Sequence, residues 1–159
     1  FLQRVVPLLA PRKVRFALAG NICKVDSLFD ASACPPNCEM VKLGFIDDVD
    51  RACAESRVGV AVVTAGSGIK VKTVELCLRG MPIVSSDHGV EGIPVTLNGS
   101  VNIDRDSDAD IVCRISDWLD SRQRADEDGR EQMRQVAEQF SPQRALSPLL
   151  KAIGDCATE

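Results

Sequence analysis

Histidine is nearly absent: the 159 residues contain one, His88. A zinc site needs several Cys or His ligands at short spacings. Here Cys34 and Cys38 flank Pro35-Pro36-Asn37, and no second Cys/His pair follows, so no metal is expected. Clustered positive charge is also missing. The chain carries a formal net charge of -4 and an isoelectric point near 5.1, whereas nucleic acid and anionic membrane surfaces recruit dense Lys/Arg runs. Neither is expected as the main partner, although a local basic pocket is compatible with this balance. No stretch approaches the roughly 18 to 20 apolar residues that span a bilayer. A basic-then-apolar leader, internal repeats and low-complexity tracts are likewise not seen. The seven cysteines are an odd number without a paired framework, which fits free thiols in a reducing compartment.

What is present is an ordinary globular composition, 45% hydrophobic and 26% charged, enough for one core and one domain over residues 1–159. Phe1 falls inside what reads as an amphipathic helix over 1–9, so the expectation is a domain excised from a longer protein. Strands are expected at 13–20 and 40–45, a helix between them, and a helix over 49–56 with Asp47 at its acidic start. The β-branched run 58–63 is the signature of a strand buried on both faces, and is expected at the centre of a parallel sheet. A Gly-rich turn, a helix over 69–78 stopping at Gly80 and a strand over 81–85 complete a βαβ unit, with Pro82 at that strand's start. A short strand over 101–103 and helices over 108–119 and 124–140 follow. A last helix is capped by Ser141, with Pro142 in its first turn, and ends at Gly154. The architecture is α/β, a Rossmann-like α/β/α sandwich with a mainly parallel sheet.

Ligands of such sheets bind beyond the C-terminal strand ends. Three loops lie there: Gly20-Asn21, Thr64-Ala65-Gly66-Ser67-Gly68, and Ser86-Asp87-His88-Gly89-Val90-Glu91-Gly92. In the second, two glycines allow close backbone approach, and the following helix start offers unpaired N–H groups to a phosphate. Lys70, read as lying in the first helical turn, opposes the helix dipole, a mismatch that a bound anion would relieve. The spacing fits neither the P-loop, which needs a four-residue spacer and Ser/Thr after the Lys, nor the dinucleotide fingerprint, where Val71 stands for the third glycine. A tight βα connection explains the same glycines. Glu75 also has two readings: a surface ion-pair ladder with Lys72 and Arg79 at helical spacing, or a carboxylate for ligand hydroxyls such as a ribose diol. Asp87, His88 and Glu91 read either as turn residues or as ligand contacts. Asp104-Arg105-Asp106 has the spacing of a metal-binding Asp-x-Asp, but a turn and helix cap at a strand end account for it.

The run from Gly66 through Lys70, Lys72, Glu75 and Gly80-Met81-Pro82-Ile83-Val84 to Gly89-Val90-Glu91-Gly92 resembles the nucleotide-sugar-binding segment of GT-B glycosyltransferases of the retaining family 4, or group 1, type. The flanking Leu18-Ala19-Gly20 and Leu43-Gly44-Phe45-Ile46-Asp47-Asp48 resemble it more loosely. The resemblance implies the C-terminal, donor-binding half of a two-domain, metal-independent enzyme that transfers a sugar from a nucleotide diphosphate sugar. The N-terminal acceptor domain is absent, and the isolated domain is expected to be inactive.

By the same resemblance Glu75 is the second glutamate of an E-x7-E motif and holds the donor ribose, and Lys70 lends charge to the leaving diphosphate. These two are the catalytic candidates. Gly66, Ser67, Gly68, Ile69 and Lys70 would line the pyrophosphate, Gly20 and Asn21 the nucleotide, and Gly89 and Glu91 the third loop. Ser67 departs from the pattern, standing where the first motif glutamate would contact the sugar. Of the basic pair that stabilises the diphosphate, the first member has no match, and Arg4 is not a convincing one. The implied partners are a nucleotide-sugar donor and a saccharide or lipid-linked acceptor, with no cofactor beyond the donor. The implied location is cytoplasmic, with peripheral attachment at the inner membrane face as a class expectation. A sugar-nucleotide epimerase of the related fold and a non-catalytic nucleotide-binding scaffold are the alternatives.

Overall fold

Alternating exposure along Val14–Ala19 and a three-residue strand with both faces covered at Ile83–Ser85 set the two sheet segments of the molecule. The computed structural model describes residues 1–25, 35–93, 97, 99–144 and 146–147. In chain order these form β1 (Val14–Ala19), β2 (Cys38–Gly44), α1 (Val49–Ala54), β3 (Gly59–Ala61), α2 (Val71–Leu78), β4 (Ile83–Ser85), β5 (Val101–Asn102), α3 (Asp108–Asp120) and α4 (Arg122–Gln139). Strands β1 and β2 pair in parallel from Val14 opposite Cys38, and β3, β4 and β5 form a second parallel group in that order.

Consecutive residues of a strand face opposite ways, and β4 uses this to sit between two cores. Val84 joins Val14, Val101, Val5, Leu9, Ile111, Ile115 and Trp118 on one side, beneath α3. Ile83 joins Ala61, Cys77, Met81 and Val136 on the other, beneath α2 and α4. Because Val14 of β1 shares the first core with β4 and β5, both strand groups belong to one α/β/α arrangement of Rossmann-like type. The largest buried side chain is Trp118, whose Nε1 donates to Asp128 Oδ2 at 2.8 Å and ties α3 to α4.

Three expectations are corrected. Residues 1–9 form turns and a short 3-10 helix, Val6–Leu9, not an α-helix. Pro7 has no N–H to continue an α ladder, yet Val5, Val6 and Leu9 are still fully covered. The run 58–63 is not the central strand: only Gly59–Ala61 pairs, β4 is central, and Val60 is 40% exposed. The ladder stops because β4 is three residues long; beyond it Val63 is bonded through both N–H and C=O to the Ser86 hydroxyl. Helix α2 begins at Val71, two residues later than expected, with Lys70 as its N-cap.

Smaller shifts occur elsewhere. Asp48, not Asp47, caps α1 by accepting from Arg51 N–H at 2.8 Å. Ser121 caps α4, which therefore starts at Arg122. Between β1 and β2, Asn21–Lys24 is a 3-10 turn, and the remainder of the helix expected there lies at 26–34, outside the described residues, together with Cys34. The amide of Arg144 donates to Ser141 Oγ and O, as a cap requires, whereas Gly154 and Cys156 lie outside the described residues. Cys23, Cys53, Cys77 and Cys113 are free thiols, as expected.

Candidate functional site

The loop from Thr64 to Ile69 leaves the end of β3 exposed to solvent, and Gly66 (φ 106°) and Gly68 (φ 79°) supply the left-handed turns that a residue with a Cβ resists. Among the described residues, the amides of Ser67, Gly68, Ile69 and Lys70 make no hydrogen bond. Val71 N–H turns back to Ile69 O at 3.1 Å. Four open donors thus precede an eight-residue helix, and an anion can be received where such donors converge on a helix start.

Lys70 is only 12% exposed, and its ammonium is fully engaged. Nζ donates to Gly66 O at 2.9 Å, to Gly68 O at 3.0 Å and to Glu91 Oε2 at 3.2 Å. An ammonium has three donors, so Lys70 closes the glycine loop on itself. The expected dipole mismatch is therefore relieved from within: Lys70 sits at the cap, outside the first turn, and Glu91 is its counter-charge. His88 Nδ1 lies 3.2 Å from the same Glu91 oxygen. The hydrogen bond from Lys70, with that of His88 second, holds the Glu91 carboxyl below the usual carboxylate range. Asp87, His88 and Glu91 line a cleft of about 240 Å³ beside this cluster.

Buried side chains hold the cluster in place. Thr73 Oγ1, on α2, donates to Gly89 O at 2.7 Å, and Gly89 N–H donates to Ser86 Oγ at 3.1 Å. Gly89 is itself buried, and a Cβ there would meet Ala61 O at 2.1 Å. The structure thus places Gly89 as the contact between the 88–90 turn and β3. On the open side of the loop, a Cβ on Gly92 would come within 2.9 Å of Ile69 Cγ1. The sequence places Ser86 in the third loop without a task of its own and leaves Thr73 unassigned. Their signal was a hydroxyl at the centre of an apolar helix face and a second hydroxyl just past a strand end.

Glu75 is exposed and does not join the ladder that is one of its two readings. Arg79 instead donates to Asp50 Oδ1 at 2.7 Å and to the backbone O of Glu75 at 3.0 Å. Among the described residues the Glu75 carboxylate has no hydrogen bond or ion pair; its one electrostatic relation is a weak pull on Arg79.

Asp87 has a structural task. It accepts from Asn102 Nδ2 at 2.8 Å and from Arg105, while its own N–H donates to Asp104 Oδ2 at 2.8 Å. The Asn102 bond, with Arg105 adding to it, lowers the Asp87 pKa. Asp106 Oδ2 accepts from Asn102 N–H. The Asp104-Arg105-Asp106 carboxylates are thus turn fasteners, and Ser107, not an aspartate, caps α3. No cluster of metal-ligating side chains occurs among the described residues.

Gly20 and Asn21 follow β1, with Gly20 N–H bonded to Gly44 O at 2.6 Å. They lie at a C-terminal strand end as expected, but no hydrogen bond links them to the Lys70 cluster among the described residues. Arg4 binds Asp108 through Nε at 2.8 Å and Ile103 O through Nη1 at 2.9 Å, a tie between the first turn and α3. Among the described residues no helix is long and apolar enough to cross a membrane.

A parallel α/β domain with an open Gly-rich βα loop and a polar turn beyond its strand ends is of Rossmann-like class, in which ligands bind at those ends. Residues 1–121 match the family described as Glycosyl transferases group 1. The chain belongs to that family, and glycosyl transfer is its general chemistry. No curated protein matches the chain.

Proposed function

We propose that this chain is the donor-binding domain, the C-terminal half of a GT-B enzyme, and that the full protein is a retaining, metal-independent glycosyltransferase using a nucleotide diphosphate sugar. The observation that carries the reading is the run of four unpartnered amides from Ser67 to Lys70 at the start of α2, in a loop shaped by Gly66 and Gly68. A diphosphate leaving group spreads charge over its oxygens, and preorganised N–H donors stabilise that charge without reorganising. Lys70 supplies the positive charge beneath them. Glu75, exposed and without an ion-pair partner, would take the two ribose hydroxyls. Gly20 and Asn21 would border the nucleoside, and Glu91 and the Gly89 turn would form the wall of the pocket. The acceptor, a saccharide or a lipid-linked one, would meet an N-terminal domain outside this chain, in the cytoplasm or peripherally at the inner membrane face.

A non-catalytic nucleotide-binding module is the second reading, and one observation favours it: Ser67 occupies the place of the sugar-contacting glutamate. Calorimetric titration of the chain with UDP, GDP and ADP, repeated on Glu75→Ala, tests the first. Selective binding of one nucleotide, lost in Glu75→Ala, is expected. No binding of any nucleotide by the chain overturns it, and binding without turnover of any nucleotide sugar by the full-length enzyme moves the protein to the second reading.

A further inference from the structure

The three acceptors on Lys70 do not have equal standing. Gly66 O and Gly68 O are neutral and belong to the loop that Lys70 shapes, whereas Glu91 brings the sole negative charge on the ammonium, from a different element. A diphosphate seated on the Ser67–Lys70 amides would place its own charge against the same ammonium. Two anionic groups cannot share one cation at hydrogen-bond distance without mutual repulsion, and Lys70, with three donors all in use, has none to spare. An alternative partner for the displaced carboxylate stands beside it: His88 Nδ1 is 3.2 Å from the very oxygen that Lys70 holds. Asp87, the other carboxylate of this turn, is fastened to Asn102 and Arg105 and acts on His88 only through its field, without a hydrogen bond.

We propose that Glu91 is an internal stand-in for the donor phosphate: it holds Lys70 across the glycine loop and passes to His88 when a diphosphate arrives. The inference rests on the donor-site reading above and adds to it a built-in competitor. Glu91 is then a positioning residue acting through Lys70, and it weakens donor binding. The benefit is a loop held in its working shape before the donor is bound, and a cationic side chain kept paired while it is mostly covered.

The decisive variant is Glu91→Gln, which keeps an oxygen for Lys70 and removes the charge. Titrated with inorganic pyrophosphate and with UDP, GDP and ADP, Glu91→Gln is expected to bind roughly fivefold more tightly than the native chain, the scale of one partly exposed ion pair. His88→Asn, which removes the partner receiving Glu91, is expected to bind more weakly than the native chain. In the double variant that loss disappears, because no charge is left to relocate. Equal or weaker binding by Glu91→Gln, or a His88→Asn loss that persists in the double variant, overturns the proposal.

A readout independent of any ligand accompanies these. The Glu91 carboxyl, followed by carbon-13 NMR over an acid titration, should move up in pH in Lys70→Met. No movement means the contact is not formed in solution and ends the proposal. If that contact is present and yet neither protein binds any diphosphate, the donor-site reading fails and the exchange with it. Binding by both without a gain in Glu91→Gln discards the exchange alone.

Discussion

Thr73 Oγ1 donates to the carbonyl oxygen of Gly89 at 2.7 Å, and Thr73 is 1% exposed. One buried hydroxyl therefore joins the helix that opens at the glycine loop to the turn that carries His88 and Glu91. In Thr73→Val, which has nearly the same shape, Gly89 O loses its partner in a dry setting, and such a carbonyl costs about 1–3 kcal/mol. The expected result is a lower denaturant midpoint with an unchanged slope, and Glu91 no longer held against Lys70. Thr73→Ser should recover most of the loss. An unchanged midpoint in Thr73→Val would remove the hydroxyl from the account of how the two loops are held together.

A tighter approach occurs where α4 crosses the end of α2. A Cβ on Gly129 would lie 1.9 Å from Gly80 O and 2.7 Å from its carbonyl carbon, and Gly80 itself has φ 71°. In an exposed helix interior, glycine to alanine stabilises by roughly 1 kcal/mol. Here the sign reverses: backbone has to shift, so Gly129→Ala is expected to destabilise by about 3 kcal/mol or more. Thermal unfolding decides between the two, since a raised Tm would mean that α4 does not pack this closely.

This contact also shows where the sequence was legible and where it was not. The parallel βαβ pattern, most helix ranges and the Gly-rich loop could be read from local periodicity and turn chemistry, because those depend on neighbours in the chain. Helix α4 carries charges on most of its faces, and nothing local marks Gly129, or the buried Gln132 whose Oε1 accepts from Ile83 N–H. Both serve elements about fifty residues away. The same limit explains the errors over β3 and Lys70. A hydrophobic run declares that it is buried, but the three-residue length of β4 decides how much of it pairs. Lys70 looked like a charge awaiting an anion because Glu91, which neutralises it, is 21 residues distant. The Lys72–Glu75–Arg79 ladder failed for a similar reason, since Asp50 on α1 draws Arg79 away.

Acid should weaken the fold through its ion pairs. Glu131 is held down from 4.5 to about 2, first by Arg134 and then by Gln135. Asp120 is lowered by Arg12, and Glu91 by Lys70. A carboxylate with a depressed folded-state pKa binds fewer protons than in the unfolded chain. Its contribution is complete above the unfolded value and is lost as pH falls through the folded one. Stability should thus be level above about pH 5 and decline from 4.5 toward 2. Glu131→Gln should flatten part of that decline. A Tm that stays constant down to pH 2 would show that these pairs contribute nothing.

Thiol chemistry offers a further check on packing. Cys77 is fully buried, and desolvation pushes its pKa to about 12, so the nucleophilic thiolate is scarce at neutral pH. Cys113 is exposed. In native protein, alkylation followed by mass spectrometry should find Cys113 modified early, and Cys77 only at the rate of unfolding. Cys77 labelling as fast as Cys113 would mean that α2 does not stay docked on the core.

The two proposed catalytic contacts should fail in different ways, because the chain gives them different surroundings. The Glu75 carboxylate bears no hydrogen bond or ion pair among the described residues, so Glu75→Gln should leave Tm and the loop resonances unchanged. Against a nucleoside diphosphate it should lose the charge-assisted bonds to a ribose diol, about 1.5–3 kcal/mol or roughly 10- to 150-fold in affinity. Inorganic pyrophosphate, which has no ribose, should bind it as before. Lys70 is the clasp of its loop, bonded to Gly66 O and Gly68 O. Lys70→Met should therefore shift the amide resonances of Gly66 and Gly68 without any ligand present and weaken pyrophosphate and nucleoside diphosphate alike. If Glu75→Gln instead weakens pyrophosphate equally, the carboxylate acts on the loop and not on the ribose, and the orientation of the donor in this site has to be reversed.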